Sequence, residues 1–200
     1  LTHLDRKLAN TQVTESYNSS TNITTITLPY AIDSTMKLVG KSGASNKAGR
    51  DITIVSQTGT TITVTGDITA FNYFIGEQYD FLYTFSQQYL ALGQNTTGSR
   101  TRIREGRLQI RNWTVSFNDT GFFQSAVTPV GRSTSNATFN GTIVGTGLTG
   151  TVNLEDGDFT FAVQSRNDNL TISLTNNSHL PSNFVNAEWE GYYVSQASNS

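Results

Sequence analysis

Apolar side chains recur at every second position in several separate segments of this 200-residue chain. That is the period of a β-strand, whose side chains alternate between two faces, and not the three-to-four spacing of a helix. The stretch Arg107–Phe117 (RLQIRNWTVSF) carries the strongest signal and one irregularity. Leu108 and Ile110 hold even positions, whereas Trp113, Val115 and Phe117 hold odd ones. A slip of one residue turns side chains to the opposite face, so this change of phase needs an extra residue in the strand. A β-bulge or sharp bend is therefore predicted near Arg111-Asn112.

Other segments repeat the pattern. NITTITLPY (22–30) offers Ile23, then Ile26 and Leu28 as inward residues, and Met36–Gly40 is a short strand. Asp51–Ser56 and Thr61–Thr65 read as a hairpin around Thr58-Gly59-Thr60. Tyr79, Phe81, Tyr83 and Phe85 share one face of the stretch Tyr79–Tyr89. A turn at Asn118-Asp119-Thr120-Gly121 leads into a returning strand, Phe122–Thr128, which Pro129 and Gly131 end. Ala137–Val144, Gly150–Leu154 and Asp158–Val163 follow, with a hairpin turn at Glu155-Asp156-Gly157 between the last two. Leu170–Thr175 and Phe184–Tyr193 complete the series. Leu1–Ala9 fits a short helix or an incoming strand, Asn10–Thr21 is turn-rich, and Asp67–Gly76 reads as an aromatic-rich connection.

Composition agrees with this pattern. Charged residues are 14% of the chain, against roughly 25% in ordinary soluble domains. Thr, which favours strands, and Asn, Ser and Gly, which favour turns, take their place. The expected fold is all-β: antiparallel, sandwich-like, with tight turns and little or no helix. A small β region over 1–70, containing the hairpin 51–65, is expected to precede a main antiparallel domain over 71–200. Leu1 opens directly onto patterned sequence, which reads as a piece of a longer protein. Cys is absent, so no disulfide framework exists. No apolar run approaches the roughly 20 residues of a membrane helix, and no membrane insertion is expected.

Little of the chain suggests catalysis, and no catalytic residue, metal site or cofactor is assigned. The two histidines, His3 and His179, are too few for a His/Cys zinc site. His179 lacks the Gly-x-Ser-x-Gly elbow that would accompany a hydrolase triad. Glu155, Asp156 and Asp158 could offer oxygens to calcium, but a solvated turn is the simpler reading. Glu188 and Glu190 flank Trp189, whereas paired glycosidase carboxylates usually come from separate elements. Asn-x-Ser/Thr triplets at Asn22, Asn95, Asn118, Asn136, Asn140 and Asn169 are what an Asn- and Thr-rich chain produces by chance.

The basic residues are more informative. Arg100, Arg102, Arg104, Arg107 and Arg111 are five of the thirteen Lys and Arg. In an extended chain the first three project to one side. Such a row suits a subunit or partner contact; a solvated edge or a DNA contact are the alternatives. Trp113 and Trp189 read as core anchors whose indole N–H groups need acceptors if buried. Gly121 fits a turn with positive φ, and Gly191 is a further structural position.

Four stretches together resemble the tail tubular protein B (tail nozzle) family of T7-like podoviruses: FIGEQYDFLYTFSQQY (74–89), GRLQIRNWTVSFNDTGFF (106–123), TPVGR (128–132) and LPSNFVNAEWEGY (180–192). The resemblance is to the carboxy-terminal part of the family. It implies a structural virion protein of the phage tail, assembled in the host cytoplasm, and not an enzyme. It implies a hexamer that docks on the tail adaptor (tail tubular protein A), contacts the tail fibre protein, and surrounds a channel through which phage DNA passes without sequence-specific binding. Two other classes compete. A carbohydrate-binding host-recognition domain would use exposed aromatics such as Tyr73, Tyr79 or Tyr193. A cell-wall hydrolase would need Glu188 and Glu190.

Overall fold

The computed structural model describes residues 3–42, 48–91, 106–141 and 152–195. Strands β1 (Asp5–Ala9), β2 (Thr14–Asn18), β3 (Ile23–Thr27), β4 (Met36–Gly40), β5 (Asp51–Ile52), β6 (Ile54–Thr58), β7 (Thr61–Thr65) and β8 (Tyr73–Glu77) come first. They are followed by β9 (Phe81–Thr84), β10 (Arg107–Thr120), β11 (Phe123–Pro129), β12 (Ser135–Phe139), β13 (Glu155–Arg166), β14 (Leu170–Asn176) and β15 (Phe184–Val194). A 3-10 turn at Asn10–Gln12 is the single helical element among the described residues. All pairings are antiparallel, and the chain is all-β as the alternation requires.

The strands form four sheets, ordered β1-β8-β4-β5, β2-β3-β7-β6, β12-β11-β14-β9 and β13-β10-β15. Each of two cores takes residues from two sheets. The first joins Ile26 and Ile62 to Leu38 and Ile75; the second joins Ile110 and Phe161 to Phe123 and Leu174. β10 and β11 are consecutive but lie in different sheets, so the chain crosses the core at Gly121-Phe122.

Phe123 is fully buried at the middle of the second core. Its ring centroid lies 5.5 Å from Phe117, 5.2 Å from Phe139, 5.3 Å from Phe159 and 5.1 Å from Phe184. Those partners come from β10, β12, β13 and β15, so one side chain ties both sheets together.

The bulge falls where the change of phase puts it. Between Ile110 and Asn112 the strand advances two residues, while β15 advances one (Gly191 to Glu190) and β13 advances three (Ser165 to Ala162). The irregularity therefore crosses the whole sheet and bends it. Gln164, in the longer β13 step, takes a positive φ of 48°. Leu108, Ile110, Trp113, Val115 and Phe117 are all buried as a result.

The two cores meet at a junction that contains both histidines. The His3 amide donates to the His179 carbonyl at 2.8 Å, and the His179 Nε2 lies 3.0 Å from the Gly49 carbonyl. The His3 ring stacks on Tyr79 at 4.0 Å, and Gln78 Nε2 donates to the Asn177 carbonyl at 2.6 Å. Burial lowers the His3 pKa from its ordinary value of 6.5; a backbone hydrogen bond at Tyr79 and the Asp80 charge oppose this.

Several elements differ from the sequence reading. The segment 5–9 is a strand, and the turn-rich stretch contains β2. β2 was hidden by its polar side chains; Glu15 accepts the hydroxyl of buried Tyr73. The aromatic connection contains β8, which lies between β1 and β4. Thr24, not Ile23, faces inward with Ile26 and Leu28. It is tolerated there because its hydroxyl donates to the Gly66 carbonyl at 2.6 Å. The hairpin holds at Gly59-Thr60, but its arms are β6 and β7, and Asp51–Ile52 pairs with β4 instead. Glu155-Asp156-Gly157 is not a turn but the start of β13, paired along β10. β10 itself runs on to Thr120, and positive φ falls on Asp119 (47°) and not on Gly121. Much of the stretch expected to hold strands at Val144 and Gly150 lies outside the described residues.

Two measurements check this account. Phe123→Ala is expected to cost about 3–5 kcal/mol of unfolding free energy, because it opens a cavity shared by both sheets; urea denaturation reads the loss. Since His3 is favoured in its neutral form by burial, its contribution to stability is intact above about pH 6.5 and falls as pH drops toward the lowered folded value. His3→Phe, which keeps a ring on Tyr79, is expected to flatten that part of the pH dependence in urea midpoints between pH 5 and 8.

Candidate functional site

The end of the second sandwich away from the junction gathers the arginines. β10 starts there at Arg107, β13 ends there at Arg166, and the β11–β12 turn brings Val130 and Arg132. The ladders enforce this meeting, since Gln109 pairs with Arg166 and Pro129 with Leu170. The Val130 amide also donates to the Asn169 carbonyl at 2.9 Å. Together with Gln109 and Gln164, Arg107, Arg132, Arg166 and Asn169 line a cleft of about 400 Å³.

The guanidiniums differ in their partners. Arg166 is paired with Asp168 at 2.7 Å on an exposed surface. Arg111 donates to the Tyr192 hydroxyl at 2.9 Å and lies 6.0 Å from that ring's centroid. Arg107 and Arg132 are exposed and have no acidic partner among the described residues. Exposed apolar groups surround them: Val130 at 74%, Val194 at 63% and Tyr192 at 61%. Arginine and tyrosine are among the residue types enriched at protein contacts, whereas exposed valines add apolar area without being diagnostic.

Of the sequence-derived row, Arg107 lines this cleft and Arg111 stands at the bulge, bonded to Tyr192; Arg100, Arg102 and Arg104 lie outside the described residues. Arg132 and Arg166 belong to the same surface but were not singled out. The signal for Arg132 was its place in the turn after Pro129, and for Arg166 its place at the end of an alternating run.

The anchors are placed as follows. Trp113 is buried against Phe85, ring to ring at 4.7 Å, and faces Trp189 across the β10–β15 ladder. Its indole N–H finds no acceptor among the described residues. Gly121 sits in close quarters: a Cβ there would lie 3.2 Å from the Leu180 side chain and 3.3 Å from the Leu154 side chain. Gly191 is held more tightly, because a Cβ would collide with the Gln109 carbonyl. Gly106, just before β10, has φ of 92°.

The candidates for other chemistry are dispersed. Among the described residues no three or more His, Cys, Asp or Glu are grouped to hold a metal ion. Glu188 and Glu190 are exposed and accept hydrogen bonds from Asn186 and Asn112. His179 serves the junction. A wider cleft of about 710 Å³ beside Met36 and Ile54 contains the Lys37–Asp51 pair, 2.8 Å apart. Of the tyrosines proposed as a sugar platform, Tyr73 is fully buried, a correction that follows from its place in β8, and Tyr79 stacks on His3.

Fold and surface define an all-β protein whose described residues form four antiparallel sheets around two cores, with arginines gathered at one end. Comparison with protein families makes the assignment specific. The family described as bacteriophage nozzle protein matches residues 1–200, and the chain belongs to that family. It is a structural protein of a phage tail. No curated protein matches it.

The glycine geometry gives a direct check. Gly191→Ala is expected to destabilise by roughly 1–3 kcal/mol, the range for overpacking against backbone. Gly121→Ala meets movable leucine side chains and is expected to cost less; paired thermal melts measure the difference.

Proposed function

We propose that this chain is a subunit of a hexameric tail nozzle that docks on the tail adaptor and contacts tail fibres. Six copies surround the channel for DNA exit, and the DNA passes without sequence-specific recognition. The chain catalyses no reaction and joins the virion by assembly in the host cytoplasm. The observation that carries this reading is the exposed Arg–Tyr–Val tip on a double-cored scaffold of a nozzle-family protein. The arginines and Tyr192 support this reading, because Arg and Tyr are enriched where protein contacts carry their binding energy. Trp113, Trp189 and Gly191 serve by keeping β10 and β15 in register, Gly121 serves where the chain crosses beside Leu154 and Leu180, and Arg107 and Arg111 serve as partner contacts.

We also assign the two cores to two structural units that meet near Gln78–Asp80. The first core reaches Ile75 and the second begins with Phe81, so few core side chains are shared.

Electron microscopy of the full-length protein, alone and with the adaptor, tests the reading. A six-fold ring with this domain at a subunit or adaptor contact is expected. A monodisperse monomer in the presence of the adaptor would contradict it.

A further inference from the structure

The second sandwich is charged oppositely at its two ends. Arg107, Arg132 and Arg166 line the cleft at the tip, with Arg166 paired to Asp168 there, and Arg111 follows at the bulge, bonded to Tyr192. The other end of the same sheet carries Asp119, Asp156 and Asp158, all exposed, and half-buried Glu155. Pairing places them together, since Thr120 faces Glu155 and Ser116 faces Asp158. The Asp156 carboxylate also accepts the Asp119 amide at 2.7 Å, which fixes both residues. β13 links the two ends: it begins at Glu155 and finishes at Arg166. At the rise of a strand the ends are roughly 35 Å apart, so they cannot neutralise one another within one molecule.

We infer that the basic tip of one copy docks on the acidic end of the next, giving a head-to-tail contact between identical chains. This rests on the proposed ring and names the surfaces that build it. Three observations select the occupant. Arg107 and Arg132 lack acidic partners among the described residues, and guanidinium forks suit carboxylates. The complementary carboxylates exist on the same chain, beyond its own reach. Exposed Val130 and Val194 flank the arginines, and a protein partner covers them where a phosphate backbone does not. A contact between two different surfaces of one chain is heterologous, and such contacts close into rings when the rotation per subunit allows.

Charge reversal tests the pairing on the 200-residue chain. One variant carries R107E with R132E, and the other carries D156K with D158K. Because Asp156 also holds the Asp119 amide, D158K alone serves as a milder second variant, and circular dichroism checks folding of each. Sedimentation velocity is expected to show self-association of the unaltered chain that weakens near 1 M salt, where the screening length is about 3 Å. Each double variant alone is expected to associate roughly tenfold or more weakly, as lost charge complementarity implies. An equimolar mixture of the two is expected to recover association, because each reversed surface then finds its opposite. Recovery is the diagnostic result, since two merely damaged proteins do not repair one another. The inference is overturned if the mixture stays dissociated, or if the variants associate like the unaltered chain. If the unaltered chain associates and both variants match it, only this interface fails and the ring stands. A chain that stays monomeric throughout overturns this interface, while the ring itself is decided by the images of the full-length protein. Loss of adaptor or duplex DNA binding by R107E/R132E, with self-association intact, would reassign the tip to that partner.

Discussion

The second sandwich depends on one side chain. Phe123 enters from β11 and meets Phe117, Phe139, Phe159 and Phe184, which come from both sheets. Its edge-to-face contacts with Phe117, Phe159 and Phe184 suit the positive edge and negative face of aromatic rings. Such pairs contribute about 0.5–1.5 kcal/mol each beyond the area they bury. This matters in a chain with few aliphatic residues to spare and no cysteine.

The bulge converts that core into a surface. An unbroken β10 would place Leu108 and Ile110 on the face opposite Trp113, Val115 and Phe117. The extra residue lets all five point inward and leaves Arg111 and Asn112 facing outward in succession. Arg111 then reaches Tyr192, and Asn112 reaches Glu190. The outward pair Arg111-Asn112 is therefore a product of the same irregularity that turns the apolar residues of β10 inward.

Legibility followed the strength of local alternation. β7, β10 and β14 could be read because their apolar residues alternate and neighbouring turns carry Gly, Asn or Asp. The bulge could be read because phase is a property of sequence alone. β2 could not, since its inward contact is a carboxylate bonded to a tyrosine on another strand. Glu155-Asp156-Gly157 has the composition of a turn, but ladder pairing with β10 outweighs that local preference. Arg107 and Arg111 were found through their crowding in sequence. Arg132 and Arg166 were not, because only the sheet pairing brings residues so far apart in the chain to one end.

The position of β10 also gives the second sandwich a direction of mechanical strength. Its 14 residues are flanked by ladders to β13 and β15. Antiparallel ladder bonds run perpendicular to the strands. A pull along the strand axis therefore loads many of them at once in shear, whereas peeling β15 sideways opens them one after another. With no disulfide to share the force, this domain resists tension along its long axis far better than tearing at its edge.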